Sequence, residues 1–109
     1  MIAIVKNNLN TITDLCKKYH VRSLYLFGSA ARVSDFTDKS DIDFLVSFES
    51  LPTITNEDIF YKVENYDHLQ RNLELAINRK IDLLQETNIK NKYLKYFINK
   101  EKKLLYGIS

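Results

Sequence analysis

The stretch from residue 26 to residue 46 reads Leu26-Phe27-Gly28-Ser29-Ala30-Ala31-Arg32, then a polar connector, then Ser40-Asp41-Ile42-Asp43-Phe44-Leu45-Val46. A glycine–serine pair closes one apolar run, and two carboxylates open the next. In an extended strand residues i and i+2 point to the same face, which stands Asp41 beside Asp43. Two such charges about 4 Å apart repel by about 1 kcal/mol in water and by about 4 kcal/mol at an effective dielectric of 20. A core strand that begins this way calls for a cation to absorb the repulsion. A metal site is therefore the first expectation.

The flanking sequence places that stretch in a small fold. Val21 to Phe27 reads as a strand stopped by Gly28-Ser29, and Ser29 to Arg32 as the start of a short helix with Ser29 as its N-cap. Val33 to Ser40 is polar enough for a solvated loop, and Ile42 to Phe48 is the near-continuous apolar run of a buried central strand. Upstream, Leu9, Ile12, Leu15, Cys16 and Tyr19 recur at helical spacing, predicting an amphipathic helix from about Val5 to Tyr19. Downstream, Glu49 to Thr55, with the lone Pro52, is a connector. A long helix is expected over 56–78, with Glu57 and Asp58 at the positive end of its dipole. Its inner stripe is Ile59, Val63, Tyr66, Leu69, Leu73, Ala76 and Ile77. Lys80 to Leu84 is a short strand carrying Asp82, and 91–102 a last helix with Leu94, Phe97 and Ile98 facing in. Lys103 to Tyr106 can add an edge strand. The order helix, strand, helix, strand, helix, strand, helix predicts a small α/β (α+β) domain.

At 109 residues the chain is expected to form one domain, 1–109. A chain of that size buries roughly 65% of its unfolded surface, enough for a core without disulfides. With 45% hydrophobic and 28% charged residues the composition is globular, and a net charge of +2 does not mark a nucleic-acid binder. The single cysteine, Cys16, excludes an internal disulfide, fits a reducing cytoplasm and falls on the apolar face of its helix. Neither a signal peptide nor a membrane span is expected. His20 and His68 have no partner at metal-ligand spacing and read as surface residues. From Lys90 to Lys103 six lysines stand against one glutamate among Tyr93, Tyr96 and Phe97. That segment is expected to be a solvated helix face with buried aromatics rather than an RNA-binding surface.

Asp41, Asp43 and Asp82 converge on one sheet face if their strands are neighbours. Carboxylate oxygens of that kind suit Mg²⁺ or Mn²⁺, which keep places for water and substrate phosphates. Two carboxylates shared between two ions, with a third completing one shell, is what two-metal phosphate chemistry requires. Gly28 lets an anion approach the backbone, a helix starting at Ser29 aims N–H groups and a positive dipole end at it, and Arg32 neutralises charge. Metal on one side and phosphate cradle on the other describe a site for a nucleoside triphosphate.

Together Gly28-Ser29-x-x-Arg32, Ser40-Asp41-x-Asp43 and the isolated strand residue Asp82 resemble the DNA polymerase β-like nucleotidyltransferase superfamily, and within it the minimal nucleotidyltransferases (MNT). The resemblance spans almost the whole chain. It implies a minimal polymerase-β-like fold, a small mixed sheet of three to four strands flanked by about four helices. It also implies that Asp41 and Asp43 hold two Mg²⁺ ions, that Asp82 completes the catalytic metal's shell and helps activate the attacking hydroxyl, and that Gly28, Ser29, Arg32 and Ser40 meet the nucleotide. Val33 departs from the pattern, since many relatives have glycine directly after the motif arginine. Proteins of this family and size are commonly antitoxins that transfer AMP from ATP to a tyrosine hydroxyl of a HEPN-domain ribonuclease toxin. The resemblance thus implies a cytoplasmic protein adenylyltransferase with a HEPN toxin as partner. Two other functions fit the residues: an antitoxin that neutralises its partner by contact alone, and an enzyme acting on a small-molecule or RNA hydroxyl held by a separate subunit.

Overall fold

A computed structural model of the chain describes residues 2–32, 36–37, 39–49 and 56–107, with the side chains of the long helix described from residue 63 onward. Val33 and all of residues 50–55, with Pro52, lie outside the described residues, as do the side chains of Glu57, Asp58 and Ile59. The elements are α1 (Ala3–Asn7), α2 (Leu9–Lys18), β1 (Val21–Phe27), β2 (Ile42–Phe48), α3 (Asn56–Ile77), β3 (Ile81–Gln85), α4 (Lys92–Glu101) and β4 (Lys103–Gly107). The four strands form one mixed sheet in the order β3-β2-β1-β4. β1 is antiparallel to both β2 and β4, while β2 and β3 run parallel, joined by the crossover through α3. This is the α/β class and strand number expected.

The first predicted helix is two. Asn8 lies between α1 and α2 at φ −110°, ψ 14°, and its side-chain amide donates to the Ile4 carbonyl at 2.7 Å. An asparagine that bonds its own backbone competes with the helical ladder, and the chain bends there. Val5 on α1 and Ile12 and Cys16 on α2 still point into one core. Burial pushes the Cys16 thiol up to about 12, so it behaves as a small apolar side chain, as expected.

Strand alternation divides the sheet into two unlike faces. Leu24 and Leu26 of β1, Ile42, Phe44 and Val46 of β2 and Ile81 and Leu83 of β3 face α1, α2 and α3 and are buried with them. Each such side chain contributes about 1.5–3 kcal/mol through burial. The α3 stripe is Leu69, Leu73 and Ile77, with Tyr66 half-buried and donating its hydroxyl to the Leu83 carbonyl of β3. Val63, expected inside, is 62% exposed. Buried Asn65 and half-buried Tyr66 occupy the inward position of that turn instead.

The opposite face carries Tyr25, Phe27 and Leu45, covered by Ile98 of α4. Ile98 is the one buried residue of α4; Leu94 and Phe97, both expected to face in, are exposed. The reason is geometric. A ten-residue helix packed through one side chain covers only part of a four-stranded face, and Tyr93 and Tyr96 are left exposed as well. Asn91 caps the helix, accepting the N–H groups of Tyr93 and Leu94. β4 follows at once and pairs Lys103 with Leu26, which returns the end of α4 to the end of β1.

Candidate active site

The topology gathers the predicted residues at one end of the second face. Because β1 and β2 are antiparallel, the end of β1 meets the start of β2, with Phe27 opposite Asp43. Because β2 and β3 are parallel, their starts coincide, and Asp43 is in register with Asp82. Partners in adjacent strands lie about 4.8 Å apart and share a face. The Asp43 and Asp82 side chains hydrogen-bond to each other. Such a bond between carboxyls requires a proton, and Asp43 is the group pushed to hold it. Its pKa rises from 3.8 to about 6, first through burial, then through the charges of Asp82 and Asp41, the bond to Asp82, and the charge of Glu101. Asp41 is half-buried immediately before β2, and Asp82 is exposed.

Among the described residues, no three His, Cys, Asp or Glu side chains are drawn into a closed metal cage. The donor set is instead an acidic pair with Asp41 in electrostatic range. That arrangement fits a hard cation such as Mg²⁺, which takes one or two protein carboxylates and completes its shell with water and phosphate oxygens. The negative charge gathered around Asp43 fits it as well, since a divalent cation would offset the neighbouring carboxylate charges that raise its pKa.

Gly28 is required here by its backbone: its φ is +71°, a conformation that L side chains rarely adopt, and the missing Cβ leaves room for the Asp43 carboxylate as it stands. The turn brings the backbone directly against the acidic pair. The helix expected at Ser29 is, however, a single 3₁₀ turn over Gly28–Ala30, in which the N–H groups of Ala31 and Arg32 both donate to the Gly28 carbonyl. Ser29 lies within that turn, half-buried, and is not its N-cap. So short a turn has no appreciable macrodipole. The donors this corner offers an anion are therefore the Gly28 N–H and the Arg32 guanidinium.

Both of those donors are engaged by one residue that sequence reasoning missed. Glu101, the last residue of α4, accepts the Gly28 N–H on Oε1 at 3.2 Å and pairs with the Arg32 guanidinium through Oε2. Its only sequence signal was being the lone acid in a lysine-rich segment. Its position depends on β4 pairing with β1, which no local pattern encodes. Ser40 belongs to the approach to β2. Its hydroxyl accepts the Thr37 N–H at 3.1 Å, and its carbonyl accepts Arg79 at 2.8 Å. Arg79 in turn stacks over Phe36, 4.6 Å from the ring. His20 and His68 are exposed, His20 beside Glu49 and His68 stacked on Tyr19.

A mixed sheet that presents paired strand aspartates beside a glycine turn and an arginine defines a nucleotidyltransferase. The sequence matches the family described as polymerase beta, nucleotidyltransferase, over residues 10–109, and the chain belongs to that family. It is 39% identical over 92 residues to a candidate protein adenylyltransferase of Methanocaldococcus jannaschii, covering 84% of this chain and 82% of that one. It is 30% identical over 78 residues to the protein adenylyltransferase MntA of Thermococcus cleftensis, covering 72% and 69%. Its fold is similar to a chain in the structure of a tri-AMPylated Shewanella oneidensis HEPN toxin in complex with an MNT antitoxin. That likeness has a TM-score of 0.62 at 23% identity and covers 94% of this chain and 72% of the other. Nucleotidyl transfer is thus the chemistry of the family. No helix among the described residues is long and apolar enough to cross a membrane.

Proposed function

We propose that this chain is a Mg²⁺-dependent protein adenylyltransferase, an antitoxin that transfers AMP from ATP to a tyrosine hydroxyl of a HEPN-domain toxin in a bacterial or archaeal cytoplasm. The observation that carries the reading is the in-register pair Asp43 and Asp82 against the Gly28 turn. In the transfer, the acceptor hydroxyl oxygen attacks the α-phosphorus, and the bond to the bridging oxygen breaks with pyrophosphate leaving. Asp41 and Asp43 would hold the two Mg²⁺ ions and Asp82 would complete one shell; the ions supply neutralisation of charge on the reacting phosphate oxygens. The Gly28 N–H and the Arg32 guanidinium are placed to hold the trailing phosphates. Asp82, exposed at the edge of the pair, is the carboxylate an incoming hydroxyl meets first, and it directs the departing proton away from the phosphate.

The names of the two relatives support AMP as the transferred group, and a toxin–antitoxin neighbour of like fold supports a protein acceptor. The exposed Tyr93, Tyr96 and Phe97 on α4 add to this, because exposed aromatics are enriched at protein interfaces.

The test is intact-mass spectrometry of the protein encoded beside this one, incubated with ATP, Mg²⁺ and either wild type or Asp43→Asn. A gain of one or more AMP units with wild type alone is expected. A stable complex with no gain in mass would replace the enzyme reading with neutralisation by contact. Neither gain nor complex would point to a small-molecule or RNA hydroxyl as acceptor.

A further inference from the structure

Glu101 stands where a phosphate should. Its two carboxylate oxygens take the Gly28 N–H and the Arg32 guanidinium, the same two donors that the proposed function assigns to the nucleotide. Carboxylate and phosphate oxygens have the same preference for a guanidinium fork and for a backbone N–H at a tight turn. They cannot occupy one set of donors together.

The contact is also an awkward one to keep. Glu101 adds a further negative charge to the field at Asp43, which already carries those of Asp41 and Asp82. No lysine stands three or four residues from Glu101 to hold its carboxylate along α4. Instead it reaches across to β1 and sits at the corner where a triphosphate would enter. The pair is accessible from outside, with the Glu101 side chain 27% exposed and that of Arg32 47%. The backbone on either side is anchored, since Ile98 is buried under the sheet and Lys103 is paired to Leu26. Release of Glu101 therefore needs rotation of its side chain, not displacement of the helix or the strand.

We propose that Glu101 is a built-in phosphate mimic: in the nucleotide-free protein it occupies the anion seat formed by the Gly28 N–H and Arg32, and a nucleoside triphosphate binds by displacing it. The proposal rests on the reading of this corner as a nucleotide site and adds to it the residue that sets affinity there. The closed arrangement keeps the glycine turn and Arg32 in their binding geometry while holding back other anions. Glu101 acts on nucleotide affinity through the donors it covers and takes no part in the transfer itself.

The experiment is calorimetric titration of wild type and Glu101→Gln with ATP and Mg²⁺, without partner protein, at low salt and at about 0.5 M salt, where the Debye length is only about 4 Å. If the open seat is populated about one time in ten, removing the competitor tightens Kd about tenfold, because apparent affinity scales with the competent fraction. The gain is expected at both salt concentrations, since direct competition is not screened away. Equal or weaker binding by the variant would overturn the proposal and make Glu101 a support for the cradle. A gain seen only at low salt would also overturn it, as a general field effect. Should the glutamine variant not fold, Glu101→Asp carries the same test, with charge retained on a stem too short to span both donors. Measurable binding by wild type with no gain on substitution sinks the proposal alone. No binding by either protein sinks the nucleotide reading and the proposal with it.

Discussion

The two faces of the sheet are built from the same strands and do opposite work. On one face Leu24, Leu26, Ile42, Phe44, Val46, Ile81 and Leu83 pack under α1, α2 and α3. On the other, Phe27, Asp43 and Asp82 alternate with them, one residue out of step, under a helix that buries a single side chain. Stability is concentrated on the first face, and the chemistry we propose on the second. The difference teaches that a 109-residue chain can keep repelling carboxylates on a central strand and its edge neighbour, because each is flanked by residues that bury the other side.

The sharpest way to break the comparison is to change one residue on each face. Asp43→Asn should lower AMP transfer by roughly 10²–10³-fold or more, as for loss of a group that stabilises transition-state charge. Its melting temperature without metal should hold or rise, since repulsion with Asp41 and Asp82 is relieved; a collapse of folding would make Asp43 structural. Phe44, its neighbour in sequence, is fully buried. Phe44→Ala should cost about 3–5 kcal/mol in chemical denaturation, and loss of activity without loss of stability would contradict the division of faces.

Gly28→Ala tests the border between the faces. The positive φ predicts a loss of about 1–3 kcal/mol, with ATP affinity falling in the same variant. Unchanged ATP affinity would remove Gly28 from the site.

A smaller effect sharpens the electrostatics. Asp43 binds its proton more tightly in the folded protein, at about 6 against 3.8, so the folded state holds more protons between those values. Stability without divalent ions should therefore fall as pH rises from about 4 to about 6 and lose nothing further from this group above that. Melting curves of wild type and Asp43→Asn across that range should diverge, with the variant flatter, and Mg²⁺ should raise the wild-type curve at neutral pH. Parallel curves would show that the pair does not share a proton. The smallest effect belongs to α4. Phe97→Ala, at 62% exposure, should shift stability by no more than about 0.5 kcal/mol.

Much of this was legible in the residues. The four strands and their approximate ends followed from apolar runs bounded by polar residues, the first stopped by Gly28-Ser29, and the paired aspartates announced themselves by their i, i+2 spacing at the start of a core strand. Local chemistry set the limits. Asn8 divided the first helix because its side chain outcompeted the ladder, which a stripe of apolar residues does not register. Phe97 and Leu94 looked inward because aromatic and aliphatic residues at helical spacing usually do, yet whether a helix has a surface to cover depends on the sheet beneath it.

By itself, then, the sequence determined which residues could carry charge, where the chain turns and which strand alternation separates core from site, because those are properties of neighbours along the backbone. Only the tertiary structure decided that β2 and β3 run parallel in the register that sets Asp43 against Asp82, and that β4 closes on β1 to deliver Glu101 to Gly28 and Arg32. Those two pairings join segments more than thirty residues apart, fixed by packing and hydrogen bonding of the whole sheet rather than by any local pattern.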